Sequence, residues 1–560
     1  MTTRHGTKVT ATSHHQHEHD SRQPGSIGGG EVGLCLTRIH HSRYTAATPV
    51  VDPVRQRRAE IGVDHERTVA DALMEIHEGD IERISATGAG AYRDTETALA
   101  NGAGVILGGK VASPDGTLVG APDILVRMPT GYAAVEVKAH LVLGTSGTPA
   151  WITPLDALAA IDFSIDIPDE AQGSFRPNRR RDLYQVAHYW RILDALGYAA
   201  DHPVGGVIGA EEPFTCAWVD LDNGKQSILN TTIDQANQAL EAVRHGSDHP
   251  DTPLVAPWWR GECNTCEWMP LCHEALVAAD DPTLLNHVSD ETRTDLVLSG
   301  ITSISQIASL EPTDERLAEP SVVLQARAWT HGGLLRRPGT PTPIDVSNPR
   351  RQVDFDIETY LGRIYLAGFL VTENGESVFD PVVDWEGTET SEADFVARLF
   401  DRLASYGDDD TCVFYWTSYE PTVLGAAGER FDLTVPGFDT VQDWFDTCSL
   451  DLHRWTKNRF VSPSGYGLKT IAPLCGFDWR DDDPGGQQSE IWFEEMRAGD
   501  ASMKQRLLDY NEDDVAAQLA IRSWVLSRDD GSGPGSTVPS AADWPQHTHS
   551  GPTDCAAESF

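Results

Sequence analysis

The segment from Gly120 to His140, GAPDILVRMPTGYAAVEVKAH, constrains the chain more than any other. Two β-rich runs flank a turn-forming Pro129-Thr130-Gly131, so the segment reads as a hairpin. Side chains alternate faces along a strand. Glu136 and Lys138 therefore share one side, while Val135 and Val137 point into the core. Asp123, at the head of the first run, can reach the Glu136 side across the hairpin. Two carboxylates and one ammonium around a point suit a magnesium or manganese ion, because hard divalent cations take carboxylate oxygens. Such an ion polarises a phosphoryl group and acidifies an attacking water, and the lysine positions that water or offsets transition-state charge.

Composition sets the limits on this reading. The chain has 560 residues and a formal charge of −42. An acidic surface repels phosphate, so nucleic acid could be handled only through local basic grooves or bound metal ions. No apolar run approaches the roughly 18 residues of a membrane span, and the first 20 residues are polar, so a cytoplasmic protein is expected. The expected organisation is α/β: a polar tail over 1–30, a first block over 31–280, a helical hairpin and Pro-rich linker over 281–345, a second block over 346–528, and a second tail over 529–560. GVILGGK has Walker A spacing, but Val111 replaces the hydroxyl that would bind magnesium, and a hairpin turn is expected there instead. LVLSGITSISQIASL is similar to half of a helix–hairpin–helix element, or is a plain helical linker.

Two further features extend the first constellation. His65 lies on an upstream helix in GVDHERTVADAL, and Gln185 and Tyr189, four apart on a downstream helix, share a face. Helix His, Pro-Asp, Glu-x-Lys and Gln-x-x-x-Tyr, in that order, resemble the RecB-like branch of the PD-(D/E)xK nuclease superfamily. The resemblance implies a restriction-endonuclease-like domain in which His65, Asp123, Glu136 and the Val137 carbonyl ligate magnesium or manganese. Lys138 would assist the nucleophilic water, and Gln185 and Tyr189 would contact the scissile strand. Arg179, Arg180 and Arg181 offer a phosphate-contacting patch at the start of that helix.

Nine cysteines are too uneven for a disulfide framework, but Cys263-x2-Cys266-x5-Cys272 puts three thiols within ten residues. Zinc and iron–sulfur centres ordinarily need a fourth ligand. Cys35, at the opposite end of the block, is the candidate. One cysteine before the core and three after it resembles the 4Fe–4S nucleases of the RecB-like branch, and that resemblance alone favours iron over zinc, in which His273 could replace a cysteine.

In QVDFDIETYLGRIYLAGFLV, Asp356 and Glu358 project from one strand face, and in YNEDDVAAQL, Tyr510 and Asp514 share one helix face. The pair of motifs resembles the RNase H-like DnaQ-type exonucleases of the DEDDy kind. There, four carboxylates hold two metals and the tyrosine orients the attacking water. The fourth acid is Glu420 or Asp446, with Asp451 also near in sequence. GYGLKTIAPLCGF resembles a Ser-Leu-Lys-like element of a bacterial subgroup of this fold fused to RecB-like nucleases. The sequence thus points to a metal-dependent nuclease acting on single-stranded or duplex DNA ends, with RNA open, in repair or end processing. The alternative is a nucleic-acid-binding scaffold with one or both sites inactive, partnering a separate helicase.

Overall fold

The computed structural model describes residues 25–50, 53–77, 79–161, 172–223, 227–286, 288–314, 316–317, 319–339, 350–360, 362–481, 486–529, 538 and 540–541. They form two compact units, one reaching to Pro257 and including Thr265–Pro270, the other comprising Trp258–Asn264 and the chain from Leu271 onward.

The first unit is built on a mixed sheet. Its central elements are helix α1 (Pro53–Ile76), strands β1 (Val105–Leu107), β2 (Ile124–Met128) and β3 (Gly131–Val137), helix α2 (Arg180–Leu196), and strands β4 (Val204–Ile208) and β5 (Thr215–Asp220). The nine strands run Ile81–Arg83, β1, β2, β3, β4, β5, Thr148–Pro154, Gln172–Phe175, Leu143–Gly144. β2 and β3 form the expected antiparallel hairpin, with Ile124 opposite Val135 and Met128 opposite Gly131. β3 and β4 are parallel, so they need a crossover, and α2 lies within it. Both faces of β3 are covered. Ala133, Val135 and Val137 pack with Val69 and Leu73 of α1, whereas Ala134 packs with Ile192 and Leu193 of α2.

Two sequence expectations change here. Residues 25–30 are not tail: Ile27 is fully buried and pairs in parallel with Leu118. The rest of both expected tails lies outside the described residues, apart from 529, 538 and 540–541 at the C-terminal end. GVILGGK does not close a hairpin either. β1 pairs with β2 in the large sheet, while Val111–Ala112 pairs with Leu118–Gly120 in a separate three-stranded sheet. The glycines carry the chain from one sheet to the next, with Gly108 at a positive φ of 67° that a side chain would strain.

In the second unit, α3 (Asp290–Leu298), α4 (Ile304–Ala308) and α5 (Pro320–His331) precede the sheet, the first two flanking Ser299-Gly300 as the pattern implied. Leu296, Ile301, Ile304 and Ile307 bury together. Strands β6 (Arg351–Tyr360), β7 (Arg363–Glu373), β8 (Glu376–Phe379), β9 (Thr411–Tyr415) and β10 (Ser449–Asp451) follow, with helices α6 (Glu389–Ala404) and α7 (Tyr419–Phe431) on either side of β9 in sequence. Strand order is β8, β7, β6, β9, β10, with β6 antiparallel to β7 and parallel to β9, and β9 parallel to β10. Helices α8 (Leu468–Leu474), α9 (Gly486–Arg497) and α10 (Met503–Asp529) complete the unit.

Alternation along β6 determines where its acids go. Val353, Phe355 and Ile357 enter an apolar core with Phe395 and Leu399 of α6. Asp354 and Asp356 face the other way, onto α10, where they meet Arg522 and Asn511. Those two helix residues are eleven apart, about three turns, and so lie on one face. Arg522 donates to both oxygens of Asp354 at 3.1 and 2.7 Å, and both side chains are buried. Replacing Arg522 with Ala strands a buried carboxylate and is expected to cost about 3–5 kcal/mol in urea unfolding. Changing both partners to apolar residues of similar size should recover most of that loss, and a loss equal to the single variant's would refute this account.

Candidate metal centre and the hairpin cluster

Asp356 and Glu358 stand two apart on β6, and Asp514 comes from α10. Their ligand atoms all lie within 4.8 Å of one another, the one such group of three or more His, Cys, Asp or Glu residues among those described. Each acid is steadied by a donor. The Asn511 amide donates to Asp356 at 2.9 Å, the Ser489 hydroxyl to Glu358 at 2.6 Å, and the Trp479 indole to Asp514 at 2.7 Å. Lys469 of α8 also donates to Asp514, at the same Oδ1 that Trp479 uses. Asn511 reaches Asp356 because the residue opposite on β7 is Gly368. A Cβ there would fall 1.8 Å from the Asn511 Oδ1.

Electrostatics favours a cation at this point. Burial, followed by the charges of Asp514, Glu358 and Glu420, raises Asp356 well above the carboxylate range. Burial and Asp514 push Glu358 up to about 8, and burial raises Asp514 although Lys469 pulls it down. Buried acids that repel one another are the donor set a hard divalent ion satisfies, so the residues fit magnesium or manganese. When bound, the ion would polarise the scissile phosphate and acidify a water. Tyr510 lies one turn before Asp514 on α10 and hydrogen-bonds to it. Burial and the nearby carboxylates raise the phenol, so it keeps its proton.

The structure also separates the candidates for the fourth acid. Glu420, in the first turn of α7, is buried, its charge acts on Asp356, and burial pushes it up to about 7. Asp446 is exposed and accepts from Gln442 one turn away at 2.8 Å. Asp451 caps the helix Leu452–Arg459 through the Arg454 amide at 2.7 Å. Of the three, Glu420 is the one whose charge acts on Asp356.

The comparisons agree with this geometry. The sequence model described as RNase H superfamily matches residues 353–526, a span that takes in most of β6 and α10 and the acids Asp356, Glu358, Glu420 and Asp514. Residues 353–526 form an RNase H-like domain. No curated protein and no solved structure matches the chain.

Outside the RNase H-like domain, the hairpin of the first unit builds a second cluster. Glu136 is only 2% exposed because α2 covers its face of β3. Lys138, just past the strand end, donates to Glu136 at 2.6 Å and to the Gln185 carbonyl oxygen at 3.1 Å. Asp123 accepts from the Val137 amide at 2.8 Å. Burial, then Asp123, pushes Glu136 up to about 8, and burial pushes Asp123 up to about 6 against the pull of Lys138. Burial works against the Lys138 charge, but Glu136 and Asp123 outweigh it and hold the ammonium's pKa above its usual range. The Glu136 Oε1 is buried without a hydrogen-bond partner, so the pair fits a cation as well.

Three expected roles look different in place. Tyr189 is 2% exposed, its ring filling the space over Gly29 and Gly120, and it accepts from Gln185 at 2.9 Å. It therefore orients Gln185, which orients Lys138. His65 bonds the Gly209 carbonyl at 3.2 Å and packs edge-on against Phe214, while the adjacent Glu66 is the α1 residue whose charge acts on Asp123. Arg180 and Arg181 are exposed at the start of α2, whereas Arg179 is half-buried. The cysteines divide, with Cys35 and Cys266 in the first unit and Cys263 and Cys272 in the second. Among the described residues they form no group as tight as the three acids.

Sequence reasoning missed Asn511, Ser489, Trp479 and Glu66. Asn511 alone carried a signal, being adjacent to Tyr510. The others come from loops and helices whose register no local pattern reveals.

Proposed function

We propose that the protein is a metal-dependent nuclease that hydrolyses DNA phosphodiester bonds, in repair or end processing. The convergence of Asp356, Glu358 and Asp514, with Glu420 behind them, carries this reading. The RNase H-like domain would trim strand ends, with Tyr510 holding Asp514 and the attacking water in register. The first unit would be a second nuclease of the PD-(D/E)xK kind. The hairpin register, the buried Glu136 with half-buried Asp123 and Lys138 beside it, and the parallel β3–α2–β4 crossover support that assignment. The exposed Arg180 and Arg181 would contact phosphates.

End-labelled single-stranded and duplex DNA, with RNA in parallel, incubated with the full chain in magnesium or manganese, tests the reading. Shortened products are expected in at least one metal and none in EDTA. Binding without cleavage in either metal would make the chain a scaffold for a separate helicase. By the resemblance to the 4Fe–4S nucleases of the RecB-like branch, Cys35, Cys263, Cys266 and Cys272 would hold a 4Fe–4S cluster with a structural role. Protein purified without oxygen is then expected to be brown with broad visible absorbance, and a colourless preparation with stoichiometric zinc would replace iron by zinc.

A further inference from the structure

We propose that a groove of about 480 Å³ in the second unit takes an unpaired base of a single-stranded nucleic acid, stacked on Trp258 and Arg260. This inference rests on the nuclease reading and names the form of its substrate, a strand whose bases are free to leave the stack. The run Trp258-Trp259-Arg260 lines the groove together with the buried Leu285 and Val288 and the exposed Asn286, all of them in the second unit. Its volume suits a small organic group.

The chemistry of the lining selects that group. The Arg260 guanidinium carbon lies 3.8 Å from the centroid of the Trp258 ring, and Glu262 holds the guanidinium there through an ion pair at 3.1 Å. An indole and a guanidinium plane are the side-chain surfaces on which splayed-out bases stack. The Asn286 amide offers a donor and an acceptor to a base edge. Charge agrees. Acidic residues outnumber basic ones 85 to 43 in the chain, yet among the described residues the groove is lined by one arginine and no carboxylate. A phosphate backbone meets less repulsion there than over the acidic surface at large.

The aromatic wall is fixed in advance. The Trp259 amide donates to the Thr283 hydroxyl at 2.8 Å, that hydroxyl donates to Asp281 at 2.6 Å, and Arg293 of α3 donates to Asp281 at 3.2 Å. The Trp259 ring also packs edge-on against His273. Little ordering cost therefore falls on binding. A duplex gains nothing here, because drawing out a paired base costs its stacking and pairing.

Binding without cleavage tests the proposal. Anisotropy of labelled oligomers of about 16 nucleotides, with the full chain in EDTA, compares a base-bearing single strand, an abasic strand of equal length and a blunt duplex. Wild type is expected to hold the base-bearing strand about tenfold tighter than the abasic one. Trp258→Ala should bring that ratio to about one, and Trp258→Phe, which keeps a ring face, should retain most of it. Arg260→Ala leaves both indoles in place and should lower the ratio about threefold. A ratio taken within one protein removes any general loss of affinity, and where Trp258→Ala binds neither strand, Arg260→Ala decides. Equal binding of the two strands by wild type, binding of neither, or a ratio that Trp258→Ala leaves unchanged overturns the proposal. So does a loss of duplex affinity in Trp258→Ala as large as the loss for the single strand. The nuclease reading fails separately: absence of cleavage by wild type in magnesium and manganese removes it, whereas cleavage with a ratio indifferent to Trp258 removes the groove alone.

Discussion

Asp356→Asn in the full chain is expected to abolish the product ladder of the RNase H-like domain, lowering its rate about a thousandfold or more, while oligonucleotide binding persists. Asp356 is the acid on which the others bear: Asp514, Glu358 and Glu420 all act on it, and Asn511 fixes its orientation. Losing its charge removes a ligand without removing volume, so the loss of cleavage should not be a loss of fold.

Metal-free stability provides an independent reading of the same residue. Glu358 and Glu420 have folded-state pKa values of about 8 and about 7. Both lie above the value near 4.3 for an unfolded glutamate. The stability they contribute is complete below about pH 4 and is lost as pH rises through about 8. Wild type in EDTA should therefore melt lower at pH 9 than at pH 5, by roughly 10 °C, and magnesium should restore the difference at pH 9. In Asp356→Asn the fall should be smaller, since one repelling charge is gone, and magnesium should restore less of it. Cleavage by Asp356→Asn at the wild-type rate would eliminate the cluster as the hydrolytic centre.

Lys138→Met is expected to remove the products of the first unit to a similar extent, about a thousandfold, and to leave the Asp356-dependent ladder intact. The ammonium is the positive charge bonded to Glu136, which otherwise faces Asp123 inside the fold. Without it Glu136, already pushed up to about 8, is driven further toward its protonated form, and metal must then displace that proton without the lysine's help. The hydrogen-bond order predicts graded effects. Gln185→Ala frees the lysine from one partner but leaves its bond to Glu136, so the loss should be nearer tenfold. Tyr189→Phe keeps the ring over Gly29 and Gly120 and removes only the hydroxyl that accepts from Gln185, so it should fall least. These ranks are read from product ladders made in an Asp356→Asn background. A Tyr189→Phe variant as damaged as Lys138→Met would place the tyrosine on the substrate and refute the chain of support described above.

Short-range periodicity determined a large part of this protein. Period two along β6 puts Asp356 and Glu358 on one face, and the helical period puts Tyr510 beside Asp514. The Pro129-Thr130-Gly131 turn makes the hairpin that sets Glu136 against Asp123. Those relations lie within one element or between neighbours joined by a tight turn, where local geometry leaves few choices. Relations between distant elements were another matter. Glu420 and Asp446 both follow β9 and satisfy the same local rules, but only the placement of α7 turns one of them toward Asp356. His65 and Glu66 share a helix, and the packing of α1 against the sheet brings His65 to the Gly209 carbonyl and the charge of Glu66 to bear on Asp123. Lys469 reaches Asp514 across 45 residues, and Asn511 reaches Asp356 across 155, through a gap that exists because residue 368 is glycine. A period reports which side chains share a face. Which face meets which depends on close packing of the whole domain, and no segment carries that information alone.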